Sequence, residues 1–275
     1  MKRTLPQAVA LYAGLAFFAL IVCLPFWWVV TGSTKLPREI IARIPTMVPR
    51  SFTLQHFDKL FQSTDFPAYL LNSIAVALFS TAFTLALALP AAYAFFRMHF
   101  PGRDALYRLI LLAYAFPTIV VLIPIYGLFA RVGLIDTRTS LVIVNVAFAL
   151  PFSIWMMRSF LASVPREIEE AAVIDGAPPR VILLRIMAPL IAPGIASVAI
   201  FTFIASWTEY LFASVLIVSD ASRTIPVGFA GIIGQYQIDW GLLLAGATAA
   251  TIPVVILFAF VGRWFVTGLT EGAVK

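Results

Sequence analysis

Apolar residues fall in long blocks along this chain, separated by short polar stretches. A helix needs about 20 predominantly apolar residues to cross a bilayer. Six windows satisfy that length: Leu11–Thr31, Tyr69–Phe96, Ala105–Phe129, Ser140–Met157, Ile191–Val218 and Gly241–Phe265. Between the first two lies a polar, proline-punctuated loop over residues 32–68, too irregular to be a span. The pattern predicts an all-α integral membrane protein with six transmembrane helices. The first window follows Met1-Lys2-Arg3, yet its apolar run exceeds the roughly 7–15 residues of a signal core. Bulky "PFWWVV" also stands where a small-residue cleavage site belongs, so it reads as a retained helix.

Prolines fall inside several windows: Pro25, Pro90, Pro117, Pro124, Pro151 and Pro253. Each leaves a helix carbonyl without its donor, which a membrane protein tolerates where neighbouring helices or a wet cavity supply a partner. Ordinary kinks account for most of the set. The pair Pro117 and Pro124 in "FPTIVVLIP" is the best candidate for a bend around a pathway.

The interruption between the fourth and fifth windows has a different character. In "PREIEEAAVIDGAPP", Pro165 suits a first helical turn, where its missing N–H costs nothing. Glu167, Glu169 and Glu170 then occupy the first turns, at the positive end of the helix dipole. Ile168, Ala171 and Ala172 recur at i, i+3, i+4 as a narrow apolar face. Gly176 is a natural left-handed stop, and Pro178-Pro179 open the next helix. This predicts a short helix with an acidic flank, a shallow apolar face and a forced turn. The alternative is a solvated loop helix that touches nothing, but such a loop has no need of an Ala-Ala face.

Composition sharpens the membrane reading. Of 275 residues, 61% are hydrophobic and 12% charged, against about 45–50% and about 25% in soluble domains. The single cysteine, Cys23, excludes a disulfide framework and a cysteine-based metal site. The 19 Lys+Arg against 13 Asp+Glu are scattered through loops rather than gathered in a nucleic-acid patch. With both termini inside, the inner segments hold eleven Lys/Arg and the outer segments eight, five of these in the 32–68 loop. That bias places both termini and the 158–192 fragment in the cytoplasm.

Catalysis needs titratable groups gathered together. The two histidines, His56 and His99, fall on opposite sides of the membrane in this topology, and no HExxH or nucleophile-elbow motif occurs. Ion-coupled carriers place acids within their spans, whereas here only Glu209 falls within one. No Gly-Lys pair exists, so a phosphate-binding GxxxxGK[ST] loop is absent. If a chain so equipped moves a solute uphill, the energy must come from a partner.

The stretch "EEAAVIDGAPPRVILLRIMAPLIAPG" resembles the EAA loop of binding-protein-dependent (type I) ABC importer permeases. The family pattern is met by Glu170, Ala171, Ala172, Asp175, Gly176, Ala177, Ile186, Pro189, Leu190, Pro193 and Gly194. "NSIAVAL", "AAYAFFRMHFPGR", "FPTIVVLIPIY" and the tail "GLTEGAVK" are similar to the carbohydrate branch, in particular the smaller permease subunit of maltose-type importers. Where that family often carries Trp-Asn-Glu in span five, this chain has Trp207-Thr208-Glu209.

The resemblance implies a type I importer transmembrane domain with a cytoplasmic coupling helix. It divides the chain into a helix and outer loop (1–67), a five-helix domain (68–265) with the EAA loop at about 158–192, and a cytoplasmic tail (266–275). The implied partners are a second related permease, two ATPase subunits and an extracytoplasmic sugar-binding protein, in the cell inner membrane, with no nucleic acid. ATP and Mg would be bound by the ATPase subunits, leaving no cofactor and no enzyme activity in this chain. Coupling to the ATPases falls to Glu169, Glu170, Ala171, Ala172, Asp175, Gly176 and Ala177. Tyr126, Asn145, Trp155, Trp207, Thr208, Glu209 and Tyr210 are candidate pathway residues; for each, a helix–helix hydrogen bond or an interfacial aromatic role is the alternative. The expected cargo is a di- or oligosaccharide. A polyamine or amino-acid permease is the alternative within the class, although a polyamine site should need several acids near the pathway. Outside the class stand a secondary carrier, revealed by proton-dependent uptake without an ATPase, and a membrane enzyme, revealed by turnover of the chain alone.

Overall fold

The computed structural model describes residues 5–233 and 238–272. In chain order the helices are α1 (Leu5–Gly32), α2 (Pro37–Ile40), α3 (Gln55–Gln62), α4 (Phe66–Arg97), α5 (Arg103–Tyr114), α6 (Thr118–Arg131) and α7 (Arg138–Ala162). They continue as α8 (Arg166–Ile174), α9 (Pro179–Val181), a π-helical stretch Ile182–Met187, α10 (Ala188–Leu190), α11 (Ala192–Trp207), α12 (Leu211–Leu216), α13 (Ile225–Ile233) and α14 (Trp240–Gly272). No strand occurs among the described residues.

Among the described residues four helices, α1, α4, α7 and α14, are long and apolar enough to cross a membrane, and counting each of two bent pairs as one span gives six. The third predicted span is one of those pairs: α5 and α6 meet at 99°. Pro117 stands at that break as the N-cap of α6, with φ −63° and ψ 122°. A proline disfavours helical backbone in the residue before it, so Phe116 cannot carry the helix through. Pro124, its predicted companion, lies inside α6 without breaking it. The second pair, Pro179–Leu190 with Ala192–Trp207, turns by 82° at Ile191, just before Pro193. The fifth predicted span is interrupted again at Thr208–Tyr210, where α11 stops and the short α12 begins.

The described chain forms two compact units, Met1–Pro67 with Phe229–Ile252, and Ala68–Gly228 with Pro253–Lys275. In the first unit the predicted irregular loop is ordered by a buried lysine. Lys35 lies 4.4 Å from the Trp28 ring centroid and its Nζ donates to the Thr46 carbonyl. His56 Nε2 sits 2.8 Å from the Lys35 carbonyl oxygen, and Glu39 accepts from Thr46 Oγ1 at 2.6 Å and from the Arg50 amide at 3.0 Å. Lys59 pairs with Asp239 at 2.7 Å, and Asp239 also accepts the Leu242 amide at the start of α14.

In the second unit, small residues let helices approach closely. Ala88 and Ala92 of α4 are fully buried in a cluster with Ile154, Met157, Leu161, Met187 and Val198. A second cluster joins Val76, Phe129, Leu141, Val144, Phe212 and Leu216. Lys2, Arg3 and Lys275, which entered the charge count, lie outside the described residues, as does the end of the predicted tail at 273–275. Over 266–272 the tail continues α14 as helix.

Candidate functional site

The predicted coupling segment starts one residue later than expected. Pro165 is the N-cap of α8, at φ −58° and ψ 142°, and the helix runs from Arg166 with Glu167 and Glu169 in its first turn. Its far end is a double hydrogen-bonded stop. Gly176 adopts φ +79°, its amide donates to the Val173 carbonyl at 3.0 Å, and the Ala177 amide donates to Ala172 at 3.0 Å. These are the two bonds of a Schellman motif. A Cβ on Gly176 would meet nothing within 4 Å, so backbone conformation alone demands glycine there. Asp175 is the C-cap, and Pro178 caps α9.

The structure divides the predicted apolar face. Ala172 turns inward and joins the cluster around Met157 and Ile182, while Ile168 and Ala171 stay exposed. One exposed stripe of α8 is Glu167, Glu170, Ala171 and Ile174, at i, i+3, i+4 and i+7, with Ile174 85% exposed; Arg166, Ile168 and Val173 are exposed beside it. Ala172 therefore holds α8 to its own chain, and Val173 and Ile174 are the large apolar groups most exposed on it. A solvated helix touching nothing does not describe α8, because Ala172 packs in the cluster around Met157 and Glu169 pairs with Arg97.

The acids divide likewise. Glu170 is exposed, but Glu169 turns inward and its Oε1 lies 2.7 Å from Arg97 Nε, with side chains only 13% and 7% exposed. Sequence reasoning treated the acids of α8 as one flank facing a partner. A 3.6-residue period puts neighbouring residues 100° apart, so adjacent glutamates cannot share a face. Nothing local marks Arg97 as the partner of Glu169.

The seven pathway candidates do not converge. Asn145 and Glu209 line one cavity of about 260 Å³, together with Tyr114, Thr118, Phe148, Phe201 and Ser206. Trp207 is buried and stacks on Phe203, with centroids 5.6 Å apart. Trp155 is exposed beside Phe152, and Tyr126 and Tyr210 are exposed as well. Thr208 donates to its own helix, to the Ile204 carbonyl at 2.9 Å. Tyr114 and Thr118 went unpredicted because they line the cavity only through the 99° bend between α5 and α6.

Glu209 is satisfied locally. Its Oε1 accepts the Phe212 amide at 2.7 Å and its Oε2 the Ala213 amide at 3.0 Å, so the carboxylate caps α12. Helix N-termini leave such amides without intrahelical partners, and the broken span creates one inside an apolar segment. Outside the spans, Asp136 fastens the α6–α7 loop to the chain beyond α12. It has φ 60°, and its Oδ1 accepts the Val218 amide, the Ser219 amide and the Ser219 hydroxyl, each at 2.9 Å. The Ser219 and Val218 amides hold its carboxyl below the ordinary carboxylate range. Among the described residues no three His, Cys, Asp or Glu side chains gather as a metal site.

The family model described as binding-protein-dependent transport system inner membrane component matches residues 84–271. The chain is 35% identical to the inner membrane ABC transporter permease protein YcjP of Escherichia coli K12, over 100% of this chain and 98% of that one. It is 32% identical to the diacetylchitobiose uptake system permease protein DasC of Streptomyces coelicolor, covering both chains completely. It is 34% identical to the trehalose transport system permease protein SugB of Mycobacterium tuberculosis, over 92% of each. In fold it resembles a chain of a bacterial ABC transporter involved in alginate import, with a TM-score of 0.78 and 23% identity, covering 96% of this chain and 99% of that one.

Proposed function

Because this chain belongs to the family of binding-protein-dependent transport system inner membrane components, we propose that it forms half of the translocation pathway of an ATP-driven sugar importer. It is a permease subunit and not an enzyme of that system. Relatives named for diacetylchitobiose and trehalose support a di- or oligosaccharide cargo. A second, related permease completes the pathway, an extracytoplasmic binding protein delivers the sugar, and two ATPase subunits hold ATP and Mg. The Lys/Arg distribution favours both termini and α8 on the cytoplasmic side.

The observation that carries the coupling reading is the construction of α8. Nine residues are anchored inward by Ala172 and closed by a glycine stop, yet present Glu167, Glu170, Ala171 and Ile174 bare. A short helix that exposes Val173 and Ile174 beside Glu167 and Glu170 fits a shallow apolar groove with a basic rim. Glu170→Lys and Ile174→Ser address that face without touching the inward contacts. Both variants should insert normally and lose the ATPase subunits on co-purification, with uptake falling in parallel. Retention of the ATPases at wild-type level by both would overturn the coupling role of α8. The larger reading is tested by reconstitution: sugar-stimulated ATP hydrolysis should require both permeases, the ATPase and the binding protein together. Uptake by this chain alone would refute it.

A further inference from the structure

One guanidinium joins three elements. Arg97 is the last residue of α4, and its side chain is 7% exposed. Its Nη2 donates to the Val164 carbonyl at 2.7 Å and reaches the Leu161 carbonyl at 3.3 Å, where α7 ends. Its Nε lies 2.7 Å from Glu169 Oε1, while the Tyr93 hydroxyl, one turn earlier on α4, is 3.5 Å from Glu169 Oε2. The Nε–Oε1 approach is a charge contact rather than an aligned hydrogen bond, since neither atom finds a hydrogen-bond partner. Directional bonding goes to the α7 carbonyls, and Coulomb attraction goes to α8. Both suit the helix ends: a cation meets the free carbonyls of α7 and an anion sits in the first turn of α8.

We propose that Arg97 is the positioning residue that clamps the coupling helix α8 to the ends of α4 and α7, so that displacement of α8 moves both spans instead of being absorbed by the connecting loop. This rests on the reading of α8 as the coupling helix. The physical case is geometric. Between Ala162 and Arg166 the chain is three residues of turn and bend, which resists little by itself. Inward contacts of α8 through Ala172 are apolar and small, and they allow sliding. The Arg97–Glu169 contact is buried, and separating it leaves each charge without a partner in a low-dielectric site. Arg97 thus ties α8 to the ends of α4 and α7 through contacts that a loop alone does not supply. Glu169 is then internal wiring, and Glu170 alone of the adjacent pair is free to meet the ATPase.

The test uses the complete reconstituted importer and reads two quantities: ATPase subunits retained, and solute moved per ATP hydrolysed. Arg97→Ala strands Glu169 and risks misfolding, so the decisive variant is the double replacement Arg97→Met with Glu169→Leu. Well-packed apolar residues of similar volume often replace a buried ion pair without loss of stability. That double variant should keep its ATPases and hydrolyse ATP within about two-fold of wild type, yet move about ten-fold less solute per ATP. Arg97→Lys keeps the charge contact but loses the planar fork to the α7 carbonyls, and should fall between the two. Wild-type solute per ATP in the double variant would overturn the proposal. Loss of the ATPases from it would do so too, because Arg97 would then serve docking rather than transmission. Retention of the ATPases by Glu170→Lys and Ile174→Ser marks a separate failure, that of the coupling reading itself.

Discussion

Replacing Gly176 sets two costs against each other. At φ +79° an L-residue is strained by about 1–2 kcal/mol, and a β-branched one lies at the upper end of that range or beyond it. No Cβ clash adds to this, since nothing lies within 4 Å. The chain escapes the strain by leaving the left-handed region, which forfeits the Gly176–Val173 and Ala177–Ala172 bonds. At about 0.5–1.5 kcal/mol each, those bonds are worth roughly as much as the strain. Asparagine, which tolerates this region, should keep the stop. Alanine should sit near balance, and valine should abandon the stop in a large share of molecules, since about 1–2 kcal/mol is a factor of about 5–30 in population. Amide hydrogen exchange at positions 176 and 177 reads the stop directly, and solute uptake per retained ATPase reads its consequence. Protection of those amides from exchange, and uptake per ATPase, should both fall in the order Gly, Asn, Ala, Val, with membrane insertion unchanged. If valine and asparagine behave alike in both measurements, the positive φ is not what makes glycine necessary.

Glu209→Gln removes one of two oxygen acceptors and leaves an α12 amide unpaired, costing about 1–3 kcal/mol; thermal melting should shift down with only partial loss of uptake and no proton requirement. Complete loss of uptake at an unchanged melting temperature would show that the carboxylate acts on the solute or an ion instead. Asp136 has a folded-state pKa below its ordinary value, so its contribution is fully present above the unfolded value of about 3.9 and is lost as pH falls through the folded one. Protection of the Val218 and Ser219 amides, corrected for intrinsic exchange, should collapse only in that acid range, and Asp136→Asn should abolish the dependence. An identical acid profile in the variant would refute the assignment. Lys59→Ala, an apparent neutral outer-loop change, breaks the 2.7 Å pair with Asp239; the pair is exposed, so its loss should cost no more than about 1 kcal/mol. A larger drop in melting temperature than Arg43→Ala produces by the corresponding amount would assign the pair a structural role beyond charge attraction.

Sequence alone determined the features that depend on neighbours in the chain. Six apolar windows were readable because lipid solvation selects composition over some twenty residues. The α8 stop was readable because a left-handed residue after a helix selects glycine, and Gly176 has that φ. The break at Pro117 belongs to the same class: the sequence marks that proline as the candidate for a bend, and the tertiary structure sets the turn at 99°. Tertiary structure decided every question of facing. Glu169 and Glu170 are chemically identical neighbours, and the inward one is selected by Arg97, which also bonds Val164 at a separation of 67 residues. Lys35 reads as an ordinary loop charge until Trp28 and Thr46 close over it. Glu209 reads as an intramembrane acid in search of a substrate until the interruption of span five supplies two free amides. Hydrophobic periodicity reports how a residue is solvated on average. It carries no information about which distant group satisfies a buried charge, because that choice is made only when helices pack.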